Sequence, residues 1–387
     1  MRKICVITGT RAEYGLLSRL MRLIEDSPLT ELQVVATNMH LLPEYGNTYR
    51  EIEKDGFKIN EKVFMPRTSD DSYAIVDSMS EEMRGLNQAL RRLLPDLIVI
   101  LGDRYEMLVA ATVAMINHIP VAHLYGGEIS EGAFDDSIRH SITKLSHLHF
   151  ASTEEYRNRI IQLGEHPDRV FWVGAIGVEN IKRIPLISKD DIETLLEMSI
   201  NEKTVLATYH PVTLGVRESQ EEISDFLAAI DTVPDLKVVF TMPNSDPGSE
   251  AIKVALQQYC SRNPLRCRCF ESLGAQKYLS LMQYVGAVIG NSSSGLVEAP
   301  SAHIPTLNIG DRQKGRTRGL SVWDVACDRT SISDGLRKVL SPEFRQIAAT
   351  AKNPYEKEGT AQAIFQAISA FPLNALRQKV FYNLKNE

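Results

Sequence analysis

Short, continuous apolar segments alternate along the chain with segments of helical periodicity. In the first half the apolar segments are 4–8, 32–36, 97–101 and 120–123, and helical stretches cover 16–24 and 105–116. Continuous apolar segments are typical of strands buried on both faces, and their alternation with helices predicts a parallel sheet covered on both sides. The pattern returns at 204–208, 237–241, 287–290 and 305–309, and a further helical stretch covers 361–370.

The chain therefore contains the same architecture twice. Its 387 residues exceed the roughly 250–300 residues at which a single core stops growing. Segment 181–188 has a proline and no strand pattern, so we place the linker near 175–190. The predicted fold class is α/β, with two Rossmann-like parallel-sheet domains facing a cleft. Residues 1–180 form the N-terminal domain and residues 181–387 the C-terminal domain.

Composition limits the classes of function. The formal net charge of −6 argues against nucleic-acid binding, because neutralising phosphates requires clustered lysine and arginine. It does not argue against a nucleotide-sugar ligand, since a few backbone N–H groups and one arginine hold a diphosphate. The apolar run at 4–7 is shorter than the ~7–15 residues of a signal-peptide core, so we predict a cytoplasmic protein. The five cysteines lack zinc-site spacing, and we expect reduced thiols and no structural metal.

Ligands of open α/β sheets bind beyond the carboxyl ends of the strands, and polar residues gather there in this chain. Arg11 follows a strand and the turn at 9–10, where free N–H groups at a helix start suit an anion; a structural turn with a surface arginine is the alternative. Asp103 directly follows an apolar strand, so its carboxylate is expected at the sheet edge, although it could also cap the next helix.

A further turn has two glycines, at 126–127, followed by Glu128. The glycines allow the backbone to approach a ligand closely. Asp135 and Asp136 open the next predicted helix, and Arg139 lies one turn later. Capping explains one of these carboxylates, but not the convergence of several after strands of one sheet. Crowded carboxylates raise one another's pKa values, which suits a general acid or base.

In the second half, His210 follows a strand, where a structural and a functional role are equally compatible with the sequence. Segment 290–295 takes an apolar strand into a hydroxyl-rich turn and a helix start, which predicts a diphosphate site. Glu298, one turn into that helix, suits the hydroxyls of a ribose. Arg312 lies in a basic turn at 310–316 that suits a phosphate or a base edge.

Several motifs, in order along nearly the whole chain, resemble those of the hydrolysing UDP-N-acetylglucosamine 2-epimerases. They are GTRAEYG at 9–15, GDRYE at 102–106, GGE at 126–128, DDSIRHSITK at 135–144, GNSSSG at 290–295 and NIGDRQKGR at 308–316. The resemblance implies the two-domain GT-B fold, in which the C-terminal helix usually crosses back to the first domain. It also implies a homo-oligomer that acts on a UDP-activated 2-acetamido sugar and needs neither a cofactor nor a metal.

The resemblance further implies the reaction and its residues. A base removes the C2 proton while UDP leaves C1, and water and a proton then add to the 2-acetamidoglucal to give the free manno-configured sugar. The residues at the family's acid–base and diphosphate-leaving positions are Asp103, Glu128, Asp135 or Asp136, and His210. The residues predicted to bind UDP are Arg11, Arg139, Asn244, Asn291, Ser292, Ser293, Ser294, Gly295, Glu298 and Arg312.

Two departures from the non-hydrolysing relatives favour the hydrolysing branch. Leu16 stands where those relatives have lysine, and Tyr125 stands where they have glutamate. Tyr125 also differs from the hydrolysing branch, so the sugar is left open. The first substrate implied is UDP-N-acetylglucosamine, giving N-acetylmannosamine for sialic acid biosynthesis, and the alternative is UDP-2,4-diacetamido-2,4,6-trideoxy-glucose for legionaminic-type acids. A GT-B glycosyltransferase and a non-catalytic UDP-sugar-binding protein are the remaining alternatives.

Overall fold

The computed structural model describes residues 1–384 except 70, 132, 213–216, 245, 247 and 377. The chain forms two compact units. The first consists of Met1–Glu128, Asp135–Asn180 and Lys357–Glu387, and the second of Ile129–Phe134 and Ile181–Glu356. Each unit contains one parallel sheet, so the predicted fold class of two Rossmann-like α/β domains is confirmed.

The strands of each unit form an open sheet with one reversal of strand order. In chain order the strands are β1 (Arg2–Thr8), β2 (Thr30–Thr37), β3 (Glu61–Val63), β4 (Leu97–Leu101), β5 (Val121–Leu124), β6 (Leu148–Ala151), β7 (Val170–Trp172), β8 (Thr204–Thr208), β9 (Lys237–Thr241), β10 (Cys267–Phe270), β11 (Ala287–Gly290), β12 (Thr306–Ile309) and β13 (Val322–Val325). The order is β3-β2-β1-β4-β5-β6-β7 in the first unit and β10-β9-β8-β11-β12-β13 in the second. The reversals lie between β1 and β4 and between β8 and β11, where α/β sheets bind ligands.

Helices connect the strands and cover both faces of each sheet. They are α1 (Arg11–Asp26), α2 (Tyr49–Lys54), α3 (Ser72–Leu93), α4 (Tyr105–Ile116), α5 (Asp135–Leu145), α6 (Glu154–Gln162), α7 (Ile176–Arg183), α8 (Lys189–Leu196), α9 (Ser219–Ile230), α10 (Ser249–Arg262), α11 (Gly274–Met282), α12 (Ser294–Val297), α13 (Arg329–Val339), α14 (Pro342–Thr350), α15 (Thr360–Ala370) and α16 (Leu373–Leu376). Short 3-10 helices cover Asn38–Leu41, Pro43–Tyr45, Pro167–Arg169 and Ala299–Ala302. No described helix is long and apolar enough to cross a membrane.

Successive residues of a strand are buried on opposite faces of its sheet. In β1, Ile4 and Val6 pack in one core with α1, whereas Cys5 and Ile7 pack in a second core with α3 and α4. β8 is divided between two cores in the same way. This two-sided burial explains why the strands are continuous apolar segments rather than alternating ones. The five cysteines are free thiols, as expected.

Helix α15 belongs to the first unit and is capped there by a residue from α7. The carboxylate of Glu179 accepts a hydrogen bond from the N–H of Ala361 at 2.7 Å, and it lies 3.1 Å from Nε of Arg19. Gly359, at the N-cap of α15, has no side chain that could accept a hydrogen bond from the first N–H groups of the helix. The carboxylate therefore supplies both the acceptor and the negative charge that a helix N-terminus favours.

The predicted elements agree closely with the structure. The segments 97–101, 204–208, 237–241 and 287–290 coincide with β4, β8, β9 and β11, and α4 coincides with the helical stretch at 105–116. The linker region 175–190 contains α7, a helix that the sequence analysis did not predict. Its residues Ile176 and Val178 are buried, so packing stabilises a segment too short to show a clear period.

We expect Glu179→Gln to lower the free energy of unfolding by about 1–3 kcal/mol, because a buried, charge-assisted cap becomes a neutral one. Urea unfolding followed by circular dichroism measures the change. Glu358→Gln alters an exposed glutamate and should remain within about 0.5 kcal/mol of the wild type. Equal stabilities of the two variants would contradict the capping role.

Candidate active site

Carboxylates and a buried arginine meet where β4 and β5 end in the first unit. Arg139 of α5 is 1% exposed; its Nε lies 3.0 Å from Oδ2 of Asp103, and its Nη1 lies 3.2 Å from Oδ1 of Asp136. Nη1 also donates to the backbone carbonyl of Glu128 at 2.9 Å. The carboxylates of Asp103 and Asp136 remain 21% and 30% exposed. A ligand can therefore reach both carboxylates although the guanidinium that joins them is buried.

The remaining predicted acid–base residues lie beside this group. Glu128 is 2% exposed, and its Oε1 accepts a hydrogen bond from the hydroxyl of Ser152 at 2.9 Å. Asp135 is the first residue of α5, where the helix dipole favours a negative charge. Of the residues predicted for acid–base chemistry, the structure brings together Asp103, Glu128 and Asp136, whereas His210 lies in the second unit. Arg139, which was predicted to bind the diphosphate, contacts two carboxylates and a backbone carbonyl in the same group.

Packing explains two features of the turns around these carboxylates. A Cβ on Gly127 would lie 2.4 Å from the carbonyl oxygen of Tyr156, and its φ is +79°. The close approach expected for this glycine is therefore to α6 and not to a ligand. Burial lowers the pKa of His123 to about 3, so its ring is neutral. Nε2 of His123 lies 2.8 Å from the carbonyl oxygen of Gly102, and this bond holds the turn before Asp103.

The N–H groups after β1, expected to be free for an anion, are hydrogen-bonded within the protein. Oε2 of Glu13 accepts from the N–H groups of Gly9 and Thr10 at 2.8 and 3.3 Å, and the Thr10 hydroxyl accepts from the N–H of Glu13 at 3.2 Å. This reciprocal pair is a capping box. Nε of Arg11 lies 2.6 Å from Oε2 of Glu51. The N–H groups of Gly9, Thr10 and Glu13 are therefore not free for an anion, and diphosphate binding by Arg11 stays a prediction.

A buried group of glutamates lies behind this turn, and the sequence analysis missed it. Glu13, Glu82 and Glu106 are 6%, 0% and 0% exposed, and Nε of Arg104 lies 2.7 Å from Oε1 of Glu106. Burial, reinforced by the charge of Glu106, raises the pKa of Glu13 to about 8 and raises that of Glu82 well above its usual range. Burial therefore favours the neutral form of both carboxyl groups. Their helices show acidic residues at core-facing positions, but only the packing of α1, α3 and α4 reveals the cluster.

In the second unit, the ends of β8 and β11 are joined through one side chain. The Asn291 side chain accepts a hydrogen bond from the N–H of His210 at 2.7 Å and donates to its carbonyl oxygen at 2.8 Å. Asn291, predicted to contact the ligand, is fully buried and holds His210 in place. The N–H of Asn244 donates to Nδ1 of His210 at 3.3 Å. Because Nδ1 accepts this bond, the neutral form of the ring carries its hydrogen on Nε2, from which it can donate.

The hydroxyl-rich turn after β11 leads into α12. Ser292, Ser293 and Ser294 are half-buried, and the Ser292 hydroxyl accepts from the N–H of Ser294 at 3.4 Å. Gly295 is buried, with Thr306 where its side chain would lie. The helix is only four residues long, so the helix start predicted here is a single turn.

Tyr278 of α11 is a site residue that the sequence analysis missed. The side chains of Ser294 and Thr208 and the charge of Glu298 lie close enough to its hydroxyl to influence the pKa of Tyr278. Burial raises the pKa of Tyr278 to about 12, so the hydroxyl stays protonated. Glu298 follows α12 directly instead of lying within it. Tyr278 stands in an ordinary helical pattern and carried no motif that could have revealed it.

The turn after β12 packs against the end of β11. Nη1 of Arg312 and Nε2 of Gln313 donate to the carbonyl oxygen of Asn291 at 3.2 and 2.8 Å. Nη2 of Arg312 lies 4.0 Å from Oδ2 of Asp246, and the arginine is 14% exposed. These bonds hold the guanidinium at the same edge of the sheet as His210, and phosphate binding by Arg312 stays a prediction.

The segment Ile129–Phe134 is held by the same turn within the second unit. The N–H of Glu131 donates to the carbonyl oxygen of Lys314 at 3.1 Å, and the two side chains form an ion pair at 3.3 Å. In the sequence Glu128 precedes this segment and Asp135 follows it. Two of the predicted acid–base residues therefore flank a segment anchored to the basic turn.

Comparison with known proteins places the chain among nucleotide-sugar enzymes. Residues 22–369 match a protein family described as UDP-N-acetylglucosamine 2-epimerase. A Campylobacter jejuni protein named GDP/UDP-N,N'-diacetylbacillosamine 2-epimerase (hydrolyzing) is 46% identical over 345 residues, 89% of each chain. The Escherichia coli polysialic acid biosynthesis protein P7 is 38% identical over 92% of this chain and 91% of its own. The structure of S. aureus MnaA with UDP has a similar fold, with a TM-score of 0.79 at 19% identity over 99% of this chain and all of its own.

We expect Glu13→Gln to remove a pH dependence of stability. The folded-state pKa of Glu13 is raised from 4.5 to about 8, so its stabilising contribution is full at low pH and is lost as the pH rises through that value. Glutamine retains the acceptor of the capping box but does not titrate. Between about pH 5 and pH 9 the wild type should lose more unfolding free energy than the variant, by on the order of a few kcal/mol.

Urea unfolding at both pH values measures this difference. Glu154→Gln, at an exposed glutamate of α6, is the matched control and should follow the wild type at each pH. Parallel pH profiles for the wild type and Glu13→Gln would show that Glu13 does not hold a proton in the folded protein.

Proposed function

The chain belongs to the UDP-N-acetylglucosamine 2-epimerase family and is a UDP-sugar 2-epimerase, and we propose that it is of the hydrolysing kind. It inverts C2 of a UDP-activated 2-acetamido sugar and releases UDP and the free epimer. The observation that carries this proposal is that Arg139 binds the carboxylates of Asp103 and Asp136 and the backbone carbonyl of Glu128. The name of the C. jejuni relative, which specifies a hydrolysing 2-epimerase, supports it.

The proposed reaction has two stages. In the first, a carboxylate accepts the C2 proton while the C1–O bond breaks and UDP leaves, which gives a 2-acetamidoglucal. In the second, water adds to C1, and a carboxylic acid returns a proton to the opposite face of C2. One water is consumed and no net electrons move, so the chemistry requires general acids and bases but no hydride carrier.

The carboxylates of the first unit suit the proton transfers. Asp103 and Asp136 are partly exposed, and the buried guanidinium of Arg139 keeps them in fixed positions. Glu128 is deeply buried, and the hydroxyl of Ser152 donates to it. It is therefore suited to accept the C2 proton, which comes from the substrate and not from solvent. Two carboxylates in unlike surroundings are what distinct acid and base roles need.

The polar groups of the second unit suit the departing nucleotide. His210 is held by Asn291 and by the N–H of Asn244, and it can donate from Nε2 to a diphosphate oxygen. Arg312 is held at the same edge of the sheet by its bond to the carbonyl oxygen of Asn291, and it supplies positive charge. Donors fixed before the reaction stabilise charge that develops as the C1–O bond breaks. Ser292, Ser293, Ser294 and Glu298 complete the proposed UDP site.

For the sugar, we propose UDP-2,4-diacetamido-2,4,6-trideoxy-glucose, the nucleotide of N,N'-diacetylbacillosamine, as the first substrate. The name of the relative at 46% identity over 89% of each chain favours it. This order reverses the one that the sequence motifs implied. UDP-N-acetylglucosamine is the second candidate, favoured by the family description and by the polysialic acid protein at 38% identity.

Proton NMR of the purified protein in D2O with each sugar nucleotide, without added metal or nicotinamide, tests the proposal. We expect UDP and a free 2-epimeric sugar carrying deuterium at C2, formed faster from the 2,4-diacetamido substrate. Release of UDP with hydrogen retained at C2 would favour a glycosyltransferase or simple hydrolysis. An intact sugar nucleotide in both tubes would refute the proposed hydrolysing activity.

We expect Asp103→Asn, Glu128→Gln and His210→Ala to lower the rate by on the order of 10²–10⁴, the usual effect of losing an acid–base group. Initial rates of UDP release measure the loss. Asp77→Asn, at an exposed aspartate of α3, controls for loss of a carboxylate elsewhere and should retain full activity. Wild-type rates in all three site variants would exclude the residue roles proposed here.

A further inference from the structure

The C-terminal segment 378–382 packs on the first unit beside the loop that follows α6. The N–H of Tyr382 donates to the carbonyl oxygen of Gly164 at 2.9 Å. A Cβ on Gly164, whose φ is +88°, would lie 2.3 Å from Cε2 of Phe381. Nη1 of Arg169 donates to the carbonyl oxygen of Gln378 at 3.2 Å. The segment is therefore held at both ends by residues 164–169.

Lys379, in the middle of this segment, reaches the carbonyl end of α5. Its Nζ donates to the backbone oxygens of Thr143, Lys144 and Ser146 at 3.1, 2.6 and 2.5 Å. The last carbonyl groups of a helix have no partner within the helix, and positive charge is favoured there. The ammonium thus supplies both the hydrogen bonds and the charge that the last turn of α5 needs.

The charge of Lys379 is balanced by Glu165, which is 2% exposed. Oε2 of Glu165 lies 2.9 Å from Nζ of Lys379 and 3.0 Å from Nε2 of His149, and Oε1 lies 2.6 Å from Nζ of Lys144. Burial raises the pKa of Glu165, but the bonds from His149 and Lys144 and the charge of Lys379 outweigh it and bring it to about 2. Burial lowers the pKa of Lys379 to about 8. Lysine and glutamate are therefore both charged at neutral pH.

We propose that Lys379 is a positioning residue, which fixes α5 by its carbonyl end and so places Arg139 and Asp136 of the same helix. The catalytic part of this inference rests on the proposed function. Helix α5 spans only Asp135–Leu145, and the hydroxyl of Thr143 donates to the carbonyl oxygen of Arg139 at 3.0 Å. A movement of the last turn is therefore passed to Arg139 one turn away. Small misplacements of a catalytic group carry large rate costs.

Hydrogen exchange and kinetics of three full-length variants test the proposal. Lys379→Met keeps the length of the side chain but removes its charge and donors, Lys379→Arg keeps both, and Lys58→Met alters an exposed lysine of the same unit. We expect Lys379→Met to speed amide exchange in peptides covering 135–147 by about tenfold. We also expect kcat to fall by about tenfold or more while KM stays within about twofold. Lys379→Arg should retain most of the wild-type exchange protection and most of the wild-type kcat. Lys58→Met should change neither the exchange nor kcat.

Each outcome decides a different point. Unchanged exchange across α5 in folded Lys379→Met would overturn the proposal, and faster exchange with unchanged kcat would show a structural role and overturn positioning. If the wild type turns over neither sugar nucleotide, the proposed function fails, whereas the exchange data still decide whether Lys379 fixes α5. If Lys379→Met does not fold, Lys379→Gln keeps a hydrogen-bond donor but removes the charge and shortens the side chain that reaches the carbonyl groups of α5. That variant should speed exchange in the same peptides, and an unchanged pattern would overturn the proposal.

Discussion

The central strands of both parallel sheets are buried on both faces, and this constraint determines where polar chemistry can lie. A strand whose every side chain is packed cannot carry a functional polar group in its middle. Such groups are confined to the turns beyond the carboxyl ends, where the chain leaves the core. Asp103 after β4 and His210 after β8 both occupy such turns. The glycines and buried amides around them serve mainly to hold these turns in place.

The carboxyl groups of the first unit lie in two kinds of surroundings. Around Arg139, carboxylates remain partly exposed and share a buried guanidinium. Behind the β1 turn, Glu13 and Glu82 are buried, and burial raises the pKa of both carboxyl groups. The contrast follows from desolvation, which penalises the charged form of a carboxyl group and is offset only where a counter-charge is in contact. Partly exposed carboxylates paired with arginine and buried carboxyl groups with raised pKa values thus lie in one unit.

Side chains distant in sequence hold the ends of several elements. Glu179 of α7 caps α15, Asn291 after β11 holds the backbone of His210, and Lys379 near the C-terminus binds the last carbonyl groups of α5. Helix ends and strand ends carry backbone groups with no partner in their own element, and burial makes an unsatisfied group costly. The chain satisfies them with charged or amide side chains, which also fix the position of the element. The return of the C-terminal residues to the first unit supplies two of these contacts.

The sequence by itself determined the two parallel-sheet units, their strands β1, β2, β4, β5, β8, β9, β11 and β12 and the residues that the turns present. Continuous apolar segments and the polar residues that end them are local patterns. The sequence also predicted the grouping of Asp103, Glu128 and Asp136, since strands of one sheet end at one edge. Only the tertiary structure decided how those residues are paired. Glu13 occupies the N–H groups predicted to be free for an anion, Gly127 makes room for α6, and Asn291 supports His210. Tyr278, Glu82 and Lys379 carried no local signal, because burial and charge pairing between distant elements arise only when those elements pack.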